Sequence, residues 1–381
     1  MEILLFVSGF AAAFLVLKIF TGKKSVDENE ISATNTQDET KYITWTKALN
    51  LIQDQILILN KNKIIMFAND AAKDQFGSKI VSTHYASIIR DYSFVEAINS
   101  IYESKKNCSV NSEIQFPTYQ FFKANIYYIE QNLFDDDFSI MVVLQDLTDL
   151  LKLEKLKSDF VANVSHELRT PLQSIKLGIE NINGGPAKDD ENAKRKFFDI
   201  MSKETDRMDQ LVTDLLTLSK IEQEEHKRPN DKVNIKLVLE NVISILNSLS
   251  EKNKVYIKSK VITDDYVLGD NNKLVEIFYN IIENAIKYSE QNKEIIITTE
   301  RLNDYIVIKV LDHGFGIPET SISRVTERFF RVDPEKSKKT GGTGLGLAIV
   351  KHLINQHRGD LVIKSTINKG SEFTIKIPRA N

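Results

Sequence analysis

The chain is short of cysteine, of net charge and of long apolar runs, and each shortage excludes something. Of 381 residues one is cysteine, Cys108, so no intrachain disulfide can form and a reducing compartment fits. There is no CxxC pair, which removes the usual zinc frameworks. A net charge of −3 gives no electrostatic reason to bind nucleic acid. Apolar and charged fractions are those of an ordinary globular protein, and the length suggests roughly two or three domains.

One stretch breaks that soluble pattern. Ile3 to Phe20 is almost wholly apolar and long enough for ~27 Å of helix, just short of a ~30 Å hydrocarbon core, with Lys18 placed to snorkel. Lys18, Lys23 and Lys24 follow the apolar run and only Glu2 precedes it as a charged side chain, so residues 3–20 read as a single transmembrane anchor with the rest of the chain cytoplasmic, at a bacterial inner membrane. A cleaved signal peptide is the alternative, but its basic leading region is missing. With so little chain ahead of the anchor, no outer sensing domain is expected. Residues 21–40 are polar and acidic and read as a linker.

From residue 41 to 148 the composition turns to β-type runs: Gln55–Asn60, Lys63–Asn69, Gln120–Glu130 and Phe138–Asp146, with short helical segments such as Asn69–Phe76 between the second and third. The early strand pair followed by FANDAAKDQFG, and the closing run QDLTDLLKLEKLKSDF, resemble an α+β PAS domain. His84 and Cys108 would be the haem and flavin candidates of such a domain, but each lacks a supporting motif, and structural or surface roles are expected for both.

The next segment, residues 149–228, holds a helix from about Asp149 to Asn183, a break at NGGPAKDD, and a second helix to about His226. In the first helix Leu153, Leu156, Phe160, Val164, Leu168, Leu172, Ile175, Ile179 and Ile182 form one stripe, and His166 falls on the opposite side. An imidazole there is solvent-facing, with Glu167 beside it and Thr170 one turn on. Pro171 is expected to bend the rod just past the histidine, a bend that would serve as a signalling hinge. Two helices with one apolar stripe each cannot bury both alone, so a homodimeric four-helix bundle is the expectation.

From residue 229 to 381 strand-like runs (VNIK, VYIKSKV, DYVLGD, EIIITTER, YIVIKVLD, DLVIKS, EFTIKIP) alternate with helices near Leu237–Glu251, Lys273–Ser289 and Leu345–Gln356, the pattern of a sandwich with a mixed sheet. Three polar features interrupt it. Glu276, Asn280, Asn284 and Lys287 share one helix face. Asp312 at a strand end is followed by Gly314 and Gly316. The run KKTGGTGLGLAIVKHLI is a glycine-rich loop opening a helix, where free N–H groups and the helix dipole can cradle an anion. Each feature alone has an ordinary explanation; their order downstream of the histidine helix is the specific signal.

Over about Lys152 to Pro378 the chain resembles the membrane-anchored sensor histidine kinases of two-component systems. SHELRTPL resembles the phosphoacceptor motif, NIIENAIKY the asparagine box, LDHGFGIP the first glycine box, ERFFRVD the phenylalanine box and GGTGLGLAIV the second glycine box. The resemblance implies a multidomain chain: anchor, PAS-like domain, dimeric helical hairpin, and an α/β sandwich ATP-binding domain of the GHKL type. It implies His166 as phosphoacceptor, Glu167 as the base that takes its second ring proton, and Thr170 as a residue that orients water for dephosphorylating the regulator. ATP and Mg²⁺ are the implied cofactors. Asn284 would hold the metal with Asn280 in support, Lys287 and Arg331 would neutralise phosphate, and Tyr288 would pack on adenine. Asp312 would accept from the adenine amino group, Gly314 and Gly316 would let the base approach, and Gly342, Thr343, Gly344, Leu345 and Gly346 would flank the phosphates. The implied partners are a second copy, a separate response regulator and, by a layout similar to phosphate-regulon sensors, a membrane transporter or sensor partner. No receiver segment is expected within the chain. ATPases of the gyrase and chaperone kind share the nucleotide fold but carry a catalytic Glu where Asn280 stands and lack the SHELRTPL helix. A non-catalytic scaffold is the other rival, and intact motifs argue against it.

Overall fold

The structure is a computed structural model that describes residues 46–114, 119–130, 138–185, 187–224, 226–261, 266–333 and 342–380. The expected anchor and linker, residues 3–40, and most of the glycine-rich loop ahead of Gly342 lie outside the described residues. Among the described residues no helix is long and apolar enough to cross a membrane. The chain divides into two compact units at Ser158/Asp159.

The first unit is built on strands β1 (Gln55–Leu59), β2 (Ile65–Ala68), β3 (Cys108–Ile114), β4 (Gln120–Ile129) and β5 (Ser139–Asp146), with helices α1 (Asp70–Phe76) and α2 (Tyr92–Ser104) between β2 and β3. They form one antiparallel sheet in the order β2-β1-β5-β4-β3. Strands β1 and β5 bury side chains on both faces, which explains their near-continuous apolar runs. One face carries Leu57, Leu59, Ile126 and Leu144 against Phe94 and Ile98 of α2; the other carries Ile56, Ile58, Met141 and Val143 against Leu49. Asn69 joins the early strands to α1. Its fully buried side chain accepts from the backbone N–H of Ile56 and Ala72 and donates to the carbonyls of Leu49, Ile52 and Asp54.

Two elements here were not read from the sequence as such. Helix α2 is longer than a short segment, and it buries Phe94, Ile98 and Ile101 at helical spacing behind an Asp91 cap. Strand β3 is an edge strand whose outward residues are polar, so it lacks an apolar run. His84 caps a short turn and stacks on Tyr85, and the Cys108 thiol, pushed up by burial, lies 3.9 Å from the Ala97 carbonyl. Both have structural surroundings.

Helix α3 spans Thr148–Gly184 and α4 spans Glu191–Gln223, whose N-terminus is capped by the Asp190 carboxylate on two backbone N–H groups. Pro171 lies inside α3 and does not end it. Proline removes only one main-chain hydrogen bond, and the helix continues past the buried Pro171 for more than three further turns, to Gly184. Much of the apolar stripe is uncovered in the single chain: Leu153, Leu156, Leu172 and Ile179 are exposed.

The rest of the second unit is a sandwich. Its sheet runs β11 (Asp360–Thr366), β12 (Gly370–Pro378), β10 (Tyr305–Leu311), β9 (Glu294–Leu302), β7 (Tyr256–Lys260), with β7 parallel to β9 and the other pairs antiparallel. A two-stranded ribbon, β6 (Asp231–Asn234) with β8 (Tyr266–Gly269), stands beside it. Helices α5 (Ile235–Asn253), α6 (Asn271–Tyr288) and α7 (Gly346–Gln356) share one core with inward residues of the sheet such as Ile297, Ile308 and Ile375. Leu211, Leu218 and Ile221 of α4 are buried in that same core, so the hairpin and the sandwich are packed as one body.

Candidate functional site

Helix α6 sets the site. Asp270 caps its N-terminus on the backbone N–H groups of Asn272 and Lys273, and Leu274, Ile277, Phe278, Ile281, Ile282, Ala285 and Ile286 bury the opposite face. That burial turns Glu276, Asn280, Asn284 and Lys287 outward together onto a cavity of about 740 Å³. The Asn280 amide donates to the Glu276 carbonyl at 2.9 Å, and the Lys287 ammonium sits 2.9 Å from Glu283.

Asp312 follows β10 at 4 % exposure, a depth at which a carboxylate needs partners. Its Oδ1 accepts from the Gly314 N–H at 2.9 Å and the Ser371 N–H at 3.1 Å. Burial is the dominant influence and pushes this carboxyl above the usual carboxylate range, while the two N–H groups pull the other way. Gly314 is required by protein packing: any Cβ there would collide with the Tyr288 carbonyl, to which the adjoining segment bridges. Gly346 opens α7 so close to α6 that a Cβ would fall 2.5 Å from Asn280 Oδ1, which locks the glycine-rich loop onto the asparagine face.

The cavity brings together Asn280, Asn284, Lys287, Tyr288, Asp312, Gly316, Arg331, Gly342, Thr343, Gly344 and Gly346. Leu345 is instead a fully buried core residue ahead of α7, and Gly314 sits behind the cavity wall. His166, Glu167 and Thr170 do not line the cavity. His166 is exposed, and the Thr170 hydroxyl donates to the His166 carbonyl at 3.3 Å.

Glu167 connects the two regions. Its Oε2 takes Arg331 Nη2 at 2.8 Å and Arg207 Nη2 at 3.3 Å. Arg331 is 8 % exposed, and its Nε is buried with no hydrogen-bond partner. An unmatched guanidinium donor on a cavity wall is costly unless an anion completes it, so the residues present fit a phosphate-bearing ligand.

Helix α4 supplies cavity residues that the sequence did not nominate: Arg207, Gln210 and Asp214. Asp214 accepts from the Thr343 hydroxyl and from the Gln210 amide, each at 2.7 Å, and burial raises its carboxyl above the ordinary value. Glu276 is raised by burial and by the Asp214 charge. Further along, Glu222 pairs with Arg328, and Lys273 bonds Glu224 at 3.3 Å and Gln356 at 3.1 Å. Phe160 of α3 meets Phe329 at 5.9 Å between ring centroids. No sequence signal identifies these contacts, because they depend on where the hairpin docks.

Comparison with known proteins assigns both regions. Residues 156–224 match the family model "His Kinase A (phospho-acceptor) domain", and residues 269–381 match "Histidine kinase-, DNA gyrase B-, and HSP90-like ATPase". The chain thus carries a region similar to a phospho-acceptor domain followed by one similar to this ATPase family. Among its relatives is the sensor protein kinase WalK of Staphylococcus saprophyticus subsp. saprophyticus, 29 % identical over 90 % of this chain and 56 % of that protein. WalK of Staphylococcus aureus is 35 % identical over 62 % of this chain and 57 % of that protein. The chain therefore spans a little over half the length of these relatives. Among solved structures, the histidine kinase AdeS of Acinetobacter baumannii aligns at a TM-score of 0.46 and 26 % identity, covering 57 % of this chain and 98 % of that one.

Proposed function

We propose that this chain is a sensor histidine kinase of a two-component system, which phosphorylates His166 from ATP and passes the phosphoryl group to an aspartate of a separate response regulator. One observation carries the reading: an exposed histidine stands beside a glutamate that is ion-paired to the wall of a cavity suited to a nucleotide. The domain scheme is anchor 3–20, linker 21–40, PAS-like sensor 41–148, hairpin 149–228 and ATP-binding domain 229–381. The sheet order β2-β1-β5-β4-β3, with helices inserted after the second strand, supports the PAS reading of the sensor. The apolar run at 3–20 supports membrane anchoring, with the bulk of the chain on the cytoplasmic side.

Asp312 selects adenine, since Oδ2 accepts from an amino group that guanine lacks at that position. Tyr288 packs on the base, Lys287 and Arg331 balance phosphate charge, and the N–H groups from Gly342 to Gly346 receive phosphate oxygens. Asn284 with Asn280 would hold Mg²⁺, which supplies charge neutralisation along the triphosphate. Asn280 stands where ATP-hydrolysing relatives of this fold carry their catalytic Glu, so direct hydrolysis by an activated water is not served here. One imidazole nitrogen of His166 is then the nucleophile, and Glu167 takes the proton from the other. Glu167 must first exchange its two guanidinium partners for the imidazole.

The uncovered stripe on α3 supports a homodimer, in which the hairpins form a four-helix bundle. Thr170 would orient water for the reverse reaction on the regulator; Thr170→Ala is expected to abolish regulator dephosphorylation while leaving His166 labelling in place. The input arrives through the PAS-like sensor, the anchor or a membrane partner. Transfer of label from γ-labelled ATP into the wild-type chain, and none into His166→Gln, tests the reading; equal labelling of both would end it.

A further inference from the structure

Two of the groups nominated here to meet phosphate are occupied by carboxylates of the helical hairpin. Arg331 is held by Glu167 of α3 at 2.8 Å, and Thr343 by Asp214 of α4 at 2.7 Å. A carboxylate offers the same planar pair of acceptor oxygens that a phosphate offers a guanidinium or a hydroxyl. Asp214 belongs to the hairpin, yet it lines the nucleotide cavity, and its partner Thr343 in turn receives the Leu345 N–H at 3.3 Å. Its carboxylate is therefore tied to the loop that opens α7.

We propose that Asp214 is a positioning residue of the nucleotide site, whose carboxylate occupies the glycine-rich loop in place of a phosphate oxygen, so that the docked hairpin and the nucleotide phosphates compete for the same groups. The proposal rests on the reading of the cavity as a nucleotide site. Asp214 stands near Glu276 and Glu283, carboxylates that Lys273 and Lys287 oppose, so removing the Asp214 charge lowers the repulsion an arriving polyanion meets at this wall. The coupling is reciprocal: whatever factor hairpin docking takes from nucleotide affinity, bound nucleotide takes from docking. Release from Arg331 is also what Glu167 needs before it can serve His166. Occupancy of the cavity and availability of the base are thus linked through one pair of carboxylates.

Asp214→Asn keeps an oxygen for the Thr343 hydroxyl and removes only the charge, and Gln210 can turn its amide to match. Asp214→Ser, smaller and also uncharged, is the second variant. The measurement is calorimetric titration of the full chain with the non-hydrolysable ATP analogue AMP-PNP and, separately, with adenosine. Both variants are expected to bind AMP-PNP about three- to ten-fold more tightly than wild type, and adenosine unchanged. Unchanged or weaker AMP-PNP binding overturns the proposal, and so does an equal tightening of adenosine, because the effect would then not act on phosphates. A wild-type chain that binds neither probe overturns the nucleotide reading itself and this proposal with it.

Discussion

Asp312 and His357 are both buried ionisable groups, and their environments assign them different work. Asp312 lines the cavity with one oxygen held by two N–H donors, the setting in which a nucleotide-reading role is proposed for it. Asp312→Asn would put a donor where the adenine amino group needs an acceptor, and adenine nucleotide affinity is expected to fall about ten- to hundred-fold in titration calorimetry, with the unfolding temperature little changed. His357 has both ring nitrogens spent: Nε2 accepts from the Asp270 N–H at 3.1 Å and Nδ1 lies 2.7 Å from the Leu353 carbonyl. Burial lowers its pKa below the ordinary histidine value. A group depressed on folding binds its proton more readily when unfolded, so the stability it supports is present above about pH 6.5 and is lost as pH falls through the folded value. Wild type is therefore expected to lose up to about 1.4 kcal/mol per pH unit more than His357→Gln in that window, read by urea unfolding at a series of pH values. The place of Asp312 on the cavity wall was legible in the sequence because a strand end followed by spaced glycines is a local pattern. The roles of Asp214 and Arg207 were not, because nothing in their own helix marks them; they reach the cavity only through docking of the hairpin. Arg331 was nominated for phosphate, and its pairing with Glu167 was equally invisible before the two domains were seen together.

At the scale of elements, local rules accounted for much of the architecture. The helix α6 was legible because its apolar and polar residues separate cleanly around the wheel, and the cap at Asp270 marks its start. Helix α2 carried the same signal at Phe94, Ile98 and Ile101 and could have been found. Strand β3 could not, since a solvated edge strand needs no apolar alternation. Pro171 marks a place where the sequence suggests a bend, and α3 runs through it as one helix to Gly184. Asn69 is the element-scale test of the first unit. It ties β1, the turn before it and α1 with five hydrogen bonds from a fully buried amide. Asn69→Ala strands those backbone groups and is expected to cost about 2–4 kcal/mol, seen as an early unfolding transition of the first unit, with nucleotide binding by the second unit preserved.

For the whole molecule, the exposed stripe and the paired carboxylates set the expectations. Leu172 and Ile179 lie on α3 within the hairpin, at 58 % and 48 % exposure in the single chain. A second copy covering them would bury several large aliphatic side chains, each worth about 1.5–3 kcal/mol when fully removed from water. The double variant Leu172→Glu/Ile179→Glu is expected to run as a monomer in sedimentation while wild type runs as a dimer, and to lose any labelling that requires the partner. In the proposed reaction His166 receives the γ-phosphoryl group of ATP bound in the cavity of the second unit. Peptide mapping by mass spectrometry after incubation with ATP and Mg²⁺, with all steps held at alkaline pH to protect a phosphorus–nitrogen bond, addresses it most directly. Phosphate is expected on the peptide carrying His166, labile in acid, and absent when Asn284→Ala removes the nominated metal ligand. Phosphate on Ser165, Thr170 or another histidine, or none in the wild-type chain, would contradict it.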